Sequence, residues 1–276
     1  EHLSRFEERE IAFSGRSVYD KIDYRKAWPQ TKSIIGFAVS YHLPLQKPHD
    51  MEGRGIISMH AYGEDYHRVL LRKADAMMEC LRKRTGLTFS YQAFSDTGKL
   101  SDRIVAYAAG LGFYGKNGFL IKEQYGSFLF LGHILTDLEL PQNDSFVSNR
   151  CETCDACLRA CPTDAIADQL EFTFSKCISY LTQKGRDEDT HGYLYGCDIC
   201  QLVCPFNQKA PIGTHGEFAA DAAFAFPKLE DIAAMDEETF SRIYGQSALA
   251  WRGQKTLQRN ARQLIKRRSQ KHRSEE

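Results

Sequence analysis

The chain has no long apolar run. Nowhere in its 276 residues do about 18 apolar residues follow one another, so no membrane-spanning helix is expected. The opening Glu1-His2-Leu3-Ser4-Arg5 lacks the basic-then-apolar pattern of a secretion signal. It also lacks an initiating Met, so the native N-terminus is expected upstream of Glu1. Neither sign of charge is in excess, with 36 Lys and Arg against 36 Asp and Glu, so any nucleic-acid contact must come from a local patch. Cysteine is nearly missing from the first half, where Cys80 stands alone. What remains is 42% hydrophobic and 26% charged, the balance of a globular protein able to form one large or two modest domains.

The other eight cysteines fall between Cys151 and Cys204. Without a secretion signal, such clustering points to metal in a reducing, cytoplasmic compartment rather than to disulfides. The first motif is Cys151-x2-Cys154-x2-Cys157-x3-Cys161-Pro162; the second is Cys197-x2-Cys200-x3-Cys204-Pro205, with Cys177 between them. A 4Fe–4S cube needs four thiolates around one compact object. Three come from a tight turn, and in two-cluster ferredoxins the Cys before Pro serves the other cube. Cys151, Cys154, Cys157 and Cys204 therefore form one ligand set, and Cys161, Cys177, Cys197 and Cys200 the other. Structural zinc is the rival, but it uses separated CxxC pairs, and the first run crowds four ligands too closely for one knuckle. Cys80, in mid-helix, reads as a buried apolar residue.

Three segments are expected. Residues 1–147 alternate strand and helix. Ile34–Ser40 and Phe128–Leu131 read as strands, as does Phe119–Ile121. A helix from His67 to Arg84 buries Leu70, Ala74, Met77 and Leu81, and another carries Leu100, Ile104, Ala108 and Leu111 before Gly110 and Gly112 end it. Pro141–Ser145 is a turn-rich boundary. Residues 148–210 hold the cysteines, and 211–276 run from a Pro/Gly/Ala-rich link into a basic helix.

Along nearly its whole length the chain resembles the epoxyqueuosine reductases, enzymes of queuosine synthesis in tRNA. The resemblance is carried by Gly63-Glu64-Asp65-Tyr66-His67, Ser95-Asp96-Thr97-Gly98, Asp102-Arg103, Ala109 to Asn117, Gly126-Ser127-Phe128, both cysteine motifs, Cys177-Ile178-Ser179-Tyr180 and Trp251-Arg252-Gly253. It implies an α/β (α+β) cobalamin-binding core similar to reductive dehalogenases, a bacterial ferredoxin-like domain with two 4Fe–4S clusters, and a short helical C-terminal segment. It implies cobalamin as a cofactor and Asp96 as proton donor, with a pKa raised by burial against the corrin. Spacing alone makes Asp96-Thr97-Gly98 a turn that caps a helix. Arg103, Lys116, Asn117, Ser127 and Ser179 are expected cofactor contacts, since a Gly-rich turn such as Gly115–Gly118 lets backbone approach closely. Tyr66 and His67 either face the cofactor or start the helix. The cobalamin motif DxHxxG is not matched: Asp189-Thr190-His191-Gly192-Tyr193-Leu194 ends in Leu and lies in a charged loop, so no His is assigned to cobalt.

From Arg252 to Arg273 there are nine Lys or Arg and no Asp or Glu. Lys255, Arg259, Arg262 and Lys266 share one helix face, opposite Leu257, Ala261, Leu264 and Ile265, which suits a phosphate backbone or, more plainly, solvent. Relatives with helical repeats beyond this point would bring part of the tRNA platform there. The resemblance implies a monomer that acts on the anticodon stem–loop of tRNA, takes electrons from an external donor and does not touch membrane. A cobalamin-dependent reductive dehalogenase and a plain ferredoxin-type carrier are the alternatives.

Overall fold

A computed structural model describes residues 23–142, 146–167 and 172–275. The N-terminal segment holds α1 (Tyr24–Ala27), β1 (Ser33–Ser40), β2 (Ile56–Ile57), α2 (Tyr66–Thr85), β3 (Tyr91–Phe94), α3 (Asp102–Ala108), β4 (Phe113–Tyr114), β5 (Leu120–Ile121) and β6 (Leu129–Thr136). The cysteine segment holds α4 (Ala156–Ala160), α5 (Ile178–Lys184), β7 (Tyr193–Tyr195), α6 (Ile199–Leu202) and α7 (Pro205–Gln208). Then follow α8 (Ala222–Ala225), α9 (Leu229–Ala234), α10 (Glu237–Tyr244) and α11 (Gln254–Glu275).

The sheet is antiparallel in the order β1-β6-β3. Ser33 lies opposite Thr136 and Ser40 opposite Leu129; on the other side Tyr91 faces Thr136 and Phe94 faces His133. The central strand is therefore β6, which runs five residues past its expected end at Leu131 and buries His133, Ile134, Leu135 and Thr136 fully. Expected strand Phe119–Ile121 shrinks to the β4–β5 pairing. Gly36 lets α3 lie close on β1, since a Cβ there would stand 3.1 Å from the Cβ of Ala109.

Asp65 starts α2 by accepting from the His67 backbone N–H, and Gly86 ends it at φ 68°. The buried face is Val69, Leu70, Ala74 and Met78. Met77 is exposed instead, because the apolar partners Phe89 and Ile134 stand on the side that Met78 reaches. The same helical phase turns Cys80 to solvent, against the expectation that it is buried. The second expected helix begins only at Asp102, with Leu100 buried in the preceding loop. Gly110 ends it in a left-handed conformation. Gly112 serves another purpose: a Cβ there would lie 2.2 Å from the Ile121 carbonyl oxygen, so it permits the contact with β5.

One apolar cluster runs from Val39 through Tyr195 to Leu264 and crosses both expected segment boundaries. A parallel pairing of β2 with β7 joins the N-terminal segment to the cysteine segment, with Ile56 opposite Tyr193. The three segments therefore share a core. Residues 143–145 of the expected boundary turn lie outside the described residues. Among the described residues no helix is long and apolar enough to cross a membrane.

Candidate active site between the sheet and the cysteine segment

The short helices of the cysteine segment aim its thiols at two cavities. Cys157 rides on α4, Cys161 closes it, Cys200 lies on α6, and Cys204 caps α7 with Pro205 in the first turn. A cavity of about 230 Å³ is lined by Cys151, Cys154, Cys157 and Cys204. A larger one of about 580 Å³ is lined by Cys161, Cys177, Cys197 and Cys200. Each Cys that precedes a proline thus reaches the cavity of the other motif. No three His, Cys, Asp or Glu side chains among the described residues converge on a single metal ion. Thiols arranged around a space suit a cube instead.

Asp96 stands on another wall of the larger cavity. Its backbone is left-handed, at φ 59°, an uncommon state for a residue with a side chain. Its N–H donates to Asp102 Oδ2 at 2.6 Å, and Asp102 Oδ1 pairs with His133 Nδ1 at 2.5 Å. His133 is fully buried on β6, and its Nε2 has no partner among the described residues. Burial pushes the Asp102 carboxyl up and the His133 contact opposes it. Gly98 keeps the loop close: a Cβ there would sit 3.0 Å from His133 Cε1.

The Asp96 carboxylate accepts from the Tyr66 hydroxyl at 2.9 Å and faces His67 Nε2 at 3.8 Å. His67 Nδ1 in turn meets Asp65 Oδ1 at 2.7 Å. Burial works against the imidazolium, but the contacts with Asp65 and Asp96 outweigh it and push His67 up to about 9. Tyr66 is held by stacking on Phe130, with ring centroids 4.3 Å apart. The Asp96 side chain is 72% exposed in the protein itself, so the burial against a corrin that the resemblance implies would have to come from the cofactor. The reason is geometric, because the loop carries it out over the opening rather than into the wall.

Arg103, Asn117, Ser127 and Ser179 border the larger cavity, as do Tyr66 and His67, which also form the first turn of α2. Ser127 is tied from behind, donating to Gln201 Oε1 and accepting from Asn207 Nδ2, both at 2.9 Å. Lys116 departs from expectation and lines the smaller cavity only, because the turn 115–118 straddles both and Asn117 alone borders each. His191 is exposed outside both cavities, its N–H closing a turn on Asp189. On α11, Lys255, Arg262 and Lys266 are exposed, with the Arg262 guanidinium on the Ala233 carbonyl. Arg259 turns inward: it donates to the Thr182 carbonyl and packs over Gly185.

Sequence reasoning missed a buried network behind the larger cavity. Asp198 accepts from Ser58 Oγ at 2.5 Å and from the Met59 N–H at 2.8 Å, and Ser58 Oγ meets His60 Nδ1 at 2.7 Å. Burial pushes Asp198 up to about 6 and His60 down to about 4. The signal was a carboxylate inside the Cys197–Cys200 motif, where solvent was the easy assumption.

Residues 21–97 match the family described as "Epoxyqueuosine reductase QueG, DUF1730", and residues 150–207 match a 4Fe–4S double cluster binding domain. The epoxyqueuosine reductase of Synechocystis sp. is 38% identical over 246 residues, covering 86% of this chain and 84% of its own. The structure of an epoxyqueuosine reductase with an epoxyqueuosine-modified tRNA-Tyr stem loop superposes with a TM-score of 0.83 at 32% identity, over 93% of this chain and 71% of that one. A Bacillus subtilis epoxyqueuosine reductase, with an aspartate catalytic loop swung out of its active site, superposes with a TM-score of 0.83 at 31% identity, over 94% and 72% of the two chains.

Proposed function

The chain belongs to the epoxyqueuosine reductase family, and on that premise we infer how its own residues serve the reaction. The enzyme reduces the epoxide of epoxyqueuosine in tRNA to the alkene of queuosine. Two electrons and two protons enter, both carbon–oxygen bonds break, and the oxygen leaves as water. We assign one 4Fe–4S cluster to Cys151, Cys154, Cys157 and Cys204, and the other to Cys161, Cys177, Cys197 and Cys200. Electrons from an external donor enter at the first set, whose Cys154 is exposed, and leave from the second, which borders the larger cavity.

Cobalamin, the other cofactor of the family, would be held at that cavity. Leu100, Leu120, Leu129 and Leu131 offer an apolar surface for the corrin, and Arg103, Asn117, Ser127 and Ser179 offer polar atoms for its amide periphery and phosphate. When bound, it supplies a strongly reducing metal centre within the protein. Exposed His191 is not placed to ligate it.

The protein's own task is the proton. An alkoxide leaves poorly, so an acid must stand by the epoxide oxygen. Asp96 faces the cavity, and His67 beside it stays protonated well past neutrality. Asp96 would give the first proton to the leaving oxygen, His67 Nε2, 3.8 Å from Asp96 Oδ2, would reload the carboxylate through a solvent molecule, and solvent would supply the second proton that completes the water. The observation that carries this reading is one cavity bordered by both a four-cysteine set and the Asp96–His67 pair. The loop named as catalytic in the Bacillus subtilis protein lends support, since it too carries an aspartate. The test is Asp96→Asn, which keeps cluster and corrinoid spectra while turnover falls on the order of 10²–10⁴, the usual cost of removing a general acid. Near-normal turnover across neutral pH would remove Asp96 from the mechanism.

A further inference from the structure

Trp251 is 77% exposed, more than any other large apolar side chain among the described residues. Met77, Leu87, Tyr125, Phe146, Leu202 and Ile212 are exposed too, but none of them borders the larger cavity, whereas Trp251 does. An indole left in water at the mouth of a reaction cavity has given up the burial that its area would otherwise gain.

The turn that presents it is fixed on both sides. Before it, Leu249 is fully buried and the Ser247 hydroxyl accepts from the Leu249 N–H. After it, the Arg252 guanidinium grips Gln183 Oε1 with two hydrogen bonds, at 3.1 and 2.8 Å. Gly253, at φ 73°, then turns the chain into α11. Arg252 and Gln183 also line the cavity. The backbone that carries the indole is thus set by its neighbours, so the ring is presented at a fixed place on the rim.

We propose that Trp251 is a stacking platform for the nucleobase next to the modified nucleoside. This rests on the tRNA reading above. The occupant follows from chemistry at the rim. A substrate presented in a single-stranded loop brings splayed bases, whose faces stack on aromatic rings, and phosphates, which suit exposed Lys255 one turn further on. Once the modified nucleoside enters the cavity, its neighbour loses its stacking partner, and the indole replaces it. Trp251 therefore sets binding of the loop without touching the reacting atoms.

The experiment uses holoenzyme and an epoxyqueuosine-containing anticodon stem–loop. Trp251→Ala raises KM roughly five- to hundredfold, the range of base–aromatic stacking, while kcat at saturating RNA holds. Trp251→Phe restores most of the loss. Making the flanking nucleotides abasic one at a time raises KM for wild type at one position and adds nothing further in Trp251→Ala. An unchanged KM in Trp251→Ala, or independent and additive losses from protein and RNA changes, would overturn the proposal while leaving the substrate reading intact. Failure of wild type to bind the stem–loop would instead overturn the substrate reading, and the proposal with it.

Discussion

In the proposed acid step, His67 holds the charge beside Asp96. Its folded pKa, about 9, lies above the ordinary 6.5 because Asp65 and Asp96 flank the ring. The imidazolium therefore persists past neutrality and is lost as pH rises through about 9, together with the hold it gives the Asp96 loop, while its contribution to stability is full below 6.5 and gone above 9. Turnover of a stem–loop substrate is expected to fall through that window, and the fall should vanish in His67→Gln, whose slower rate no longer follows this titration. A pH–rate profile of both proteins checks it; an identical alkaline limb in the variant would assign that limb elsewhere. The role proposed for Asp96 comes from resemblance, because Asp-Thr-Gly alone describes a helix-capping turn. Its supports were not legible at all. Asp102 and His133 are 31 residues apart and meet only because α3 lies against the central strand. No local pattern marks such a pair. Asp102→Ala is expected to lower kcat more than it raises KM, since the Asp96 N–H loses its acceptor while the other cavity-lining side chains are unchanged; an effect on KM alone would argue against positioning.

At the scale of elements, the cysteine motifs were the most legible part of the chain. Their partition follows from short helices: α4 and α6 pack against each other, and a chain leaving either one at Cys-Pro is carried toward the opposite cavity. Spacing contains that geometry because a turn of helix has a fixed rise. Anaerobic reconstitution should yield about eight iron atoms per chain, from two cubes. Cys204→Ser should impair the cube at the smaller cavity, and Cys177→Ser the one at the larger, with separable losses in the EPR signal of the reduced protein. Zinc in place of iron, or one loss common to both variants, would break the assignment. The helices were legible as patterns but not in phase. Met77 and Met78 differ by one step around α2, and only the tertiary position of Phe89 and Ile134 chooses between them. The segment boundaries were compositional, and composition does not report that residues far apart, such as Val39 and Leu264, share one core.

Across the whole molecule, zero net charge leaves tRNA binding to where individual cations point. A row of basic residues on α11 suggests a phosphate-binding face, yet much of that charge is structural. Arg252 holds Gln183, Arg259 holds the Thr182 carbonyl, Arg267 pairs with Asp187, and Arg268 donates to the Arg54 carbonyl. These interactions dock the helix on α5, on the loop after it and on the loop before β2, with Leu257, Ala261 and Leu264 buried beneath. Lys255, Arg262 and Lys266 are exposed, as is Arg273 near the helix end, and these are what a stem can reach. Neutralising Lys255, Arg262 and Lys266 should weaken tRNA binding and lower the log–log salt slope by roughly 0.7–0.9 for each phosphate left unneutralised, with iron content and thermal stability unchanged. Arg259→Gln should do the reverse. It removes a half-buried anchor, so it lowers Tm while barely changing the slope. The two variants separate a binding face from a docking face on one helix. Filter-binding titrations against salt, read beside thermal melts, decide it: equal slopes for wild type and the triple variant would move the tRNA interface off α11, and a lowered slope in Arg259→Gln would return that guanidinium to the binding surface.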